Sequence, residues 1–425
     1  MNFIEELQWR GMIHDKTLGV EELCKKEGVT GYAGFDPTAP SLHIGNLIPI
    51  MLLVHFQRSG NRPIALVGGA TGMIGDPSGK SEERQLLPME VIRFNQECLK
   101  AQLERFLDFS GSNAAEIVNN FDWFKNIGFL EFLRDVGKRV TVNYMIAKDS
   151  VKERWENGIS FTEFSYQLLQ AYDFLWLYNN KNCRIQFGGS DQWGNILSGA
   201  ELIRRTTGGE AHAITCPLLT RSGGKKFGKS EEGESIWLDR VRTSPYKFYQ
   251  YWLNTTDEDA PTLLKIFTFF SRKEIAELID EQKSAPHERP MQKALARDIT
   301  VRVHSEQDYQ SAVEASEVLF GKGTTDTLRR LSEEDFLSVF EGVPQADIPK
   351  ATIEAGIPVI DFVAGETGFF TSKGEARRMI QQGGLSVNKE KITDQNAIIG
   401  HEQVLNGKYV LLQKGRKFYC LVRVV

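Results

Sequence analysis

Apolar and polar positions in the first part of the chain fall into blocks that predict strand, loop, helix and strand in succession. Residues 29–35 (VTGYAGF) are a short β-favouring run, closed by Asp36, Pro37, Thr38, Pro40 and Ser41, which are turn and cap residues. Residues 42–56 (LHIGNLIPIMLLVHF) are too long an apolar run for one typical strand and predict a buried helix in spite of Pro49, with Gly60 beyond its end. Residues 63–67 (PIALV) are apolar throughout, as in a strand covered on both faces, and open into 68–75 (GGATGMIG). A further strand at 183–187 (CRIQF) leads into another glycine and polar turn, 188–194 (GGSDQWG). This order predicts an α/β fold with a Rossmann-like, doubly wound parallel sheet, whose ligands bind at the carboxyl ends of the strands.

Between about 244 and 345 the pattern turns helical. Ser271 and Glu274 form a capping box ahead of Ile275, Leu278 and Ile279 at helical spacing. Residues 321–325 and 344–349 have the composition of a hinge or linker. A second capping box, Ser372 and Glu375, starts a helix that Gly383 and Gly384 stop, and short strands follow at 385–388, 408–413 and 417–425. Those last 75 or so residues make a compact α/β unit with its own small core. The chain shows no internal repeat.

At 425 residues, and roughly 100–200 per domain, two to four domains are expected. No run of 18 apolar residues occurs and the first residues are mixed and acidic, so neither a membrane span nor a targeting segment is expected, and the location expected is cytoplasmic. The five cysteines lie 33 or more residues apart, which excludes a Cys-x-x-Cys metal knuckle and a dense disulfide frame. The net charge of −5 hides a split: residues 350–425 carry 11 Lys and Arg against 7 Asp and Glu, a net +4, and the rest of the chain carries −9. A basic tail on an acidic body suits a polyanion partner.

Two stretches carry candidate chemistry. Residues 43–46 (HIGN) put His43 and Asn46 three apart at a helix start, where unpaired N–H groups and the helix dipole favour phosphate, and Gly45 removes a Cβ so that a base or ribose can approach. The same residues equally suit a plain helix cap with a solvated histidine. Residues 223–231 (GGKKFGKSE) set Lys225, Lys226 and Lys229 in a glycine-flanked loop able to lie over a triphosphate, or simply to be solvated.

Together, His43-Ile-Gly-Asn46 and Lys226-Phe-Gly-Lys-Ser230 resemble the HIGH and KMSKS signatures of the class I aminoacyl-tRNA synthetases. Residues 32–38 (YAGFDPT), 67–77 (VGGATGMIGDP), 165–173 (SYQLLQAYD) and 188–194 extend the resemblance to the bacterial-type tyrosyl-tRNA synthetases over essentially the whole chain.

The resemblance implies an enzyme that activates L-tyrosine with ATP and transfers it to tRNA(Tyr). Tyr32 and Asp173 would meet the phenol hydroxyl, and Asp76, Tyr166 and Gln170 the α-ammonium; Tyr166, Gln170 and Asp173 also share one helix face by spacing. Gln192 and Asp191 would lie near the substrate carboxylate and ribose. Thr38, His43, Asn46, Lys226 and Lys229 would hold the ATP phosphates, with Gly45 and Ser230 beside the nucleotide. Lys80 and Arg84 would be a pyrophosphate clamp, or else surface ion pairs with Glu82 or Glu83. Asn46 departs from the second histidine of many members; it keeps a donor but carries no charge.

Magnesium would arrive with ATP, and no protein-bound metal or organic cofactor is implied. The implied domains are 1–222 catalytic, 223–325 the lysine loop and a helical domain, 326–350 a linker, and 351–425 a small RNA-binding fold in which Arg377, Arg378, Lys389 and Lys391 face a phosphate backbone. The resemblance also implies a homodimer; Phe121, Trp123, Phe124 and Phe161 suit its contact or a core, between which periodicity does not decide.

Three other readings compete. Residues 69–75 with Tyr144 and Lys148 also resemble the short-chain dehydrogenases, but the glycine loop follows a second strand and lies only about 70 residues before Tyr144. A non-enzymatic RNA-binding protein on a retired synthetase fold would not need the lysines and the tyrosine-pocket set. A tryptophan enzyme fits Tyr32 with Asp173 less well than a phenol does.

Overall fold

The computed structural model describes residues 2–425 except 79–84, 149–150, 153–154, 156–157, 221, 223–226, 230–232, 320–323 and 416–417. Two compact units divide the chain: residues 1–242 with 253–303, and residues 243–252 with 304–425.

The first unit is built on six strands: β1 (Asp15–Lys16), β2 (Thr30–Phe35), β3 (Arg62–Val67), β4 (Glu116–Asn119), β5 (Cys183–Gly189) and β6 (His212–Cys216). Their order is β1-β6-β5-β2-β3-β4, parallel in every pairing except that of β1 on β6. The doubly wound sheet is therefore mixed, with a two-residue antiparallel edge. From β2 the chain proceeds outward through β3 and β4, then returns to β5 on the other side of β2, so the switch point lies between β2 and β5.

The apolar run at 42–56 does not start its α-helix where the pattern begins. Ile44–Asn46 is a 3-10 turn and the α-helix is Leu47–Arg58. Pro49 is tolerated because it sits in the first turn, where its missing N–H would have had no intrahelical partner. This helix packs against β5 and the N-terminal Phe3–Arg10 helix through Phe56, Phe187 and Phe3, whose rings meet at 5.1 to 6.0 Å in edge-on arrangements. Complete burial of such side chains stabilises the unit by about 1.5–3 kcal/mol each. Across the sheet, Tyr32, Ile64 and Leu66 pack with Trp123 and with Phe174 of the Phe161–Lys181 helix. Ser160 caps that helix by accepting from the Glu163 N–H, and Asn182 ends it in the left-handed conformation. The capping box at Ser271 and Glu274 is formed.

The second unit carries β7 (Gln345–Ile348), β8 (Ile357–Pro358), β9 (Leu385–Val387), β10 (Glu390–Lys391), β11 (Ile398–Ile399), β12 (Tyr409–Lys414) and β13 (Phe418–Val424). Five of them form a sheet in the order β10-β9-β12-β13-β7, and β11 pairs with β8. Residues 344–349, expected as a linker, contain β7, which pairs parallel with β13. Of its four residues only Ile348 is buried, so no apolar alternation marks it as a strand. One core holds Ile348, Ile380, Val410, Leu412 and Val422; Phe336 and Phe340 pack on Tyr409 and Tyr419 at 5.4 and 5.8 Å. The second capping box is half made: Ser372 accepts from the Glu375 N–H, but Glu375 turns its carboxylate to Thr371. Among the described residues no helix is long and apolar enough to cross a membrane.

Candidate active site

A cavity of about 280 Å³ opens at the switch point, over the carboxyl ends of β2 and β5. Its lining includes Tyr32, Asp36 and Thr38 from β2 and the loop after it, His43 and Asn46 from the 3-10 turn, and Asp76. Tyr166, Gln170 and Asp173 enter from one helix, Gln186 and Gln192 from β5 and the turn beyond, and Trp237 from a later segment.

The inner end is apolar in wall and polar in detail. Tyr32 is 1% exposed and its hydroxyl has no hydrogen-bond partner. Burial first, and the Asp173 charge second, push that phenol well above its ordinary pKa. Asp173 is itself buried; Asn120 Nδ2 donates to one carboxylate oxygen at 3.0 Å and Trp123 Nε1 to the other at 2.9 Å. These two donors lower its pKa, yet burial outweighs them and pushes it up to about 8. Asn120 also donates to Thr71 at 3.0 Å and accepts from the Ala70 N–H at 2.7 Å. Thr71 and Tyr166 both donate to Asp36, each at 2.7 Å.

A second set stands beside this one. Gln192 Nε2 donates to Asp76 at 2.7 Å, and Gln170 Nε2 to the Gln192 carbonyl oxygen at 3.3 Å. The Gln170 carbonyl oxygen is buried without a partner, an acceptor suited to an ammonium group. Asp36, Asp76 and Asp173 line the cavity, and no Lys or Arg does so among the described residues. Such a cavity suits a ligand with a cationic amine, and an anionic ligand needs its countercharge from elsewhere.

At the turn, Asn46 caps the His43 backbone and the His43 ring caps that of Gly45. The His43 N–H donates to Asn46 Oδ1 at 3.0 Å, and His43 Nδ1 accepts from the Gly45 N–H at 3.1 Å. This assigns the ring proton to Nε2 and leaves the Asn46 Nδ2 as a donor. The structure gives Gly45 a reason other than nucleotide access: a Cβ there would lie 2.8 Å from the His43 ring. Cap and candidate phosphate contact are thus compatible.

The lysine loop reaches the same turn through residues 235–238. Lys229 Nζ donates to Ser235 Oγ at 2.9 Å and forms a bridge with it. The next residues lie antiparallel on the turn, with Ile44 N–H donating to Ile236 O at 3.0 Å, Leu238 N–H to Leu42 O at 2.8 Å, and His43 bridged to Trp237. Lys229 itself does not line the cavity, and neither Gly45 nor Asp191 does. Lys80, Arg84, Lys225, Lys226 and Ser230 lie outside the described residues.

The sequence gives no roles to Asp36, Thr71, Asn120, Gln186 and Trp237, and it leaves Trp123 open between a subunit contact and a core. Trp123 is 6% exposed, stacked on Trp176 at 4.2 Å and bonded to Asp173. Asn120 and Trp123 follow the carboxyl end of β4, which the pattern did not show as a strand. In the second unit, Arg377, Arg378 and Lys391 are exposed. Lys389 is not: it donates to the Tyr419 hydroxyl at 2.7 Å, and burial lowers its pKa to about 8.

Residues 25–321 match the family model of class I tRNA synthetases (W and Y), and residues 335–422 match that of the tyrosine–tRNA ligase SYY-like C-terminal domain. Among curated relatives, the tyrosine–tRNA ligase of Porphyromonas gingivalis is 58% identical over all of both chains, and that of Cytophaga hutchinsonii 59% over 99% of each. The chain belongs to the tyrosine–tRNA ligase family. A solved structure of a C-terminally truncated mitochondrial tyrosyl-tRNA synthetase from Aspergillus nidulans is 32% identical, covers 75% of this chain and 94% of its own, and superposes with a TM-score of 0.68. Membership of the tyrosine–tRNA ligases accounts for the second domain model as well as the first, which a dehydrogenase would not.

Proposed function

We propose that the cavity takes tyrosine with its phenol inward and ATP beside His43 and Asn46, and that the chain joins them as tyrosyl-adenylate before passing the acyl group to tRNA. The observation that carries this is the buried Tyr32 hydroxyl, unpartnered in a cavity that Asp173 also lines. An unsatisfied buried hydroxyl costs about 1–3 kcal/mol, which a ligand hydroxyl between Tyr32 and Asp173 relieves and a phenylalanine does not. The Gln170 carbonyl oxygen, Asp76 and Tyr166 suit the α-ammonium at the other end of the same ligand.

In the first step an oxygen of the tyrosine carboxylate attacks the α-phosphorus in line and pyrophosphate leaves; in the second, a terminal ribose hydroxyl of tRNA displaces AMP. The first nucleophile is already an anion and needs no base. The protein's work is to align two anions and neutralise the charge that grows between them. The acidic lining cannot do this. The work falls to Lys226 and Lys229, the His43 ring, the Asn46 amide and Thr38, with magnesium carried by ATP supplying further positive charge. In this reading Asp191 and Gln192 serve the substrate carboxylate and the ribose, and Lys80 and Arg84, which lie outside the described residues, bind pyrophosphate. The basic tail holds tRNA through Arg377, Arg378 and Lys391. The enzyme works as a cytoplasmic homodimer.

Lys229→Ala tests the assignment: tyrosine affinity should change less than twofold while adenylate formation slows roughly 10²-fold. Equal loss of both, read by stopped-flow fluorescence, would contradict it.

A further inference from the structure

Lysine 229 is an ammonium on a long flexible stem, so where its charge can act depends on where its backbone is held. Two residues earlier, Phe227 is 8% exposed and stacks on Phe267 with ring centres 5.5 Å apart and planes 11° from parallel. The Phe227 N–H donates to Leu219 O at 3.4 Å. Between Phe227 and Lys229, Gly228 has φ +91°, and a Cβ on it would stand 3.6 Å from the Gly45 nitrogen, so the backbone runs alongside the His43–Asn46 turn.

Phe267 is a firm base for that stack. It is 1% exposed and ends the Ala260–Phe267 helix, where the last carbonyls have no intrahelical partners. Two arginines take up the carbonyls around it. Arg302 Nη1 donates to Phe267 O at 2.7 Å, while Arg10 donates to Lys265 O at 2.5 Å, Thr268 O at 2.8 Å and Phe270 O at 3.2 Å. Positive charge at a helix C-terminus is favourable in its own right. Arg10 is in turn paired with Glu6, and Arg302 with Asp298 while lying over the Phe269 ring at 4.1 Å.

We infer that Phe267 is a positioning residue for Lys229: its ring, fixed from behind by Arg10 and Arg302, holds Phe227 and thereby sets the 227–229 backbone against the His43–Asn46 turn. The inference rests on the reading of Lys229 as a phosphate ligand. A helix end from another part of the chain, none of whose residues lines the cavity, determines how well that ligand is placed. Misplacement of a reacting group by about 1 Å can cost 10²-fold in rate.

The test is a double-mutant cycle on full-length enzyme, with Phe267→Leu and Lys229→Ala made singly and together. Phe227→Leu is added because it trims the stack from the loop side and leaves the Phe267 platform in place. Adenylate formation at saturating tyrosine and ATP is timed by stopped flow, and tyrosine affinity is measured by fluorescence titration. F267L and F227L should each slow the step by about tenfold with tyrosine affinity within twofold of wild type, and F267L should add nothing once Lys229 is alanine. Independent, multiplying losses in the double variant would overturn the inference, as would a fall in tyrosine affinity that tracks the rate. A K229A variant that slows the step beside F227L and F267L variants that do not would overturn the inference and leave the reading of Lys229 standing. If K229A itself is silent, that reading falls and takes the inference with it.

Discussion

Asp173 sits where its charge is least welcome, buried beside Tyr32 with two N–H donors among the described residues to offset the loss of water. Its pKa is raised from 3.8 to about 8, so between those values the folded chain keeps a proton that the unfolded chain releases. This group therefore makes stability fall as pH rises from about 4 to 8 and leaves it level above 8. Denaturant titrations at pH 5 and pH 8 should show that fall, and Asp173→Asn should lack it. Asn120 is wholly buried, with its amide shared among Asp173, Thr71 and Ala70. Asn120→Ala should cost about 1–3 kcal/mol of stability and weaken tyrosine binding, because it orphans several buried groups at once. An Asn120→Ala enzyme with unchanged melting and unchanged tyrosine affinity would contradict this network. Neither residue's partners were legible in the sequence, since hydrogen bonds between positions 120 and 173 follow from strand order and not from spacing.

At the scale of elements, the strands at 30–35, 62–67 and 183–189 were readable because each contains a β-favouring or apolar run beside turn residues. The helix bearing Tyr166, Gln170 and Asp173 was readable as a polar set on one face. What escaped was β7, too polar to show alternation, and the 3-10 start at Ile44, where the Asn46 side chain caps His43 and the His43 ring caps Gly45 ahead of the α-helix. The β9–β10 hairpin is a further case: Val387 pairs with Glu390, so Asn388 and Lys389 form the two-residue turn, with φ 49° and 71°. That turn folds Lys389 onto Tyr419, while Arg377 and Lys391 remain exposed. Arg377→Ala and Lys391→Ala should each reduce the slope of log affinity for tRNA against log salt by about one. Lys389→Ala should leave the slope alone and lower the melting temperature of the enzyme. Because the Lys389 pKa is lowered from 10.5 to about 8, its neutral form is the better accommodated, and its contribution to stability grows as pH rises across that interval.

For the whole molecule, the charge split seen in the sequence, −9 over residues 1–349 and +4 over residues 350–425, makes the last residues the part suited to a polyanion such as tRNA. The proposed homodimer would need an apolar surface, and Phe129, Leu130 and Phe161 are 64%, 79% and 68% exposed in the first unit, whereas Trp123 is buried. Phe161→Asp should move the sedimentation coefficient from that of a dimer toward that of a monomer; an unchanged dimer would remove Phe161 from the contact. In the proposed function one cavity activates a phenolic amino acid with ATP. ATP–pyrophosphate exchange measured with tyrosine, phenylalanine and tryptophan in turn tests it most directly. Exchange with tyrosine and almost none with the other two is the predicted result; equal exchange with phenylalanine, or none with tyrosine, would contradict the account.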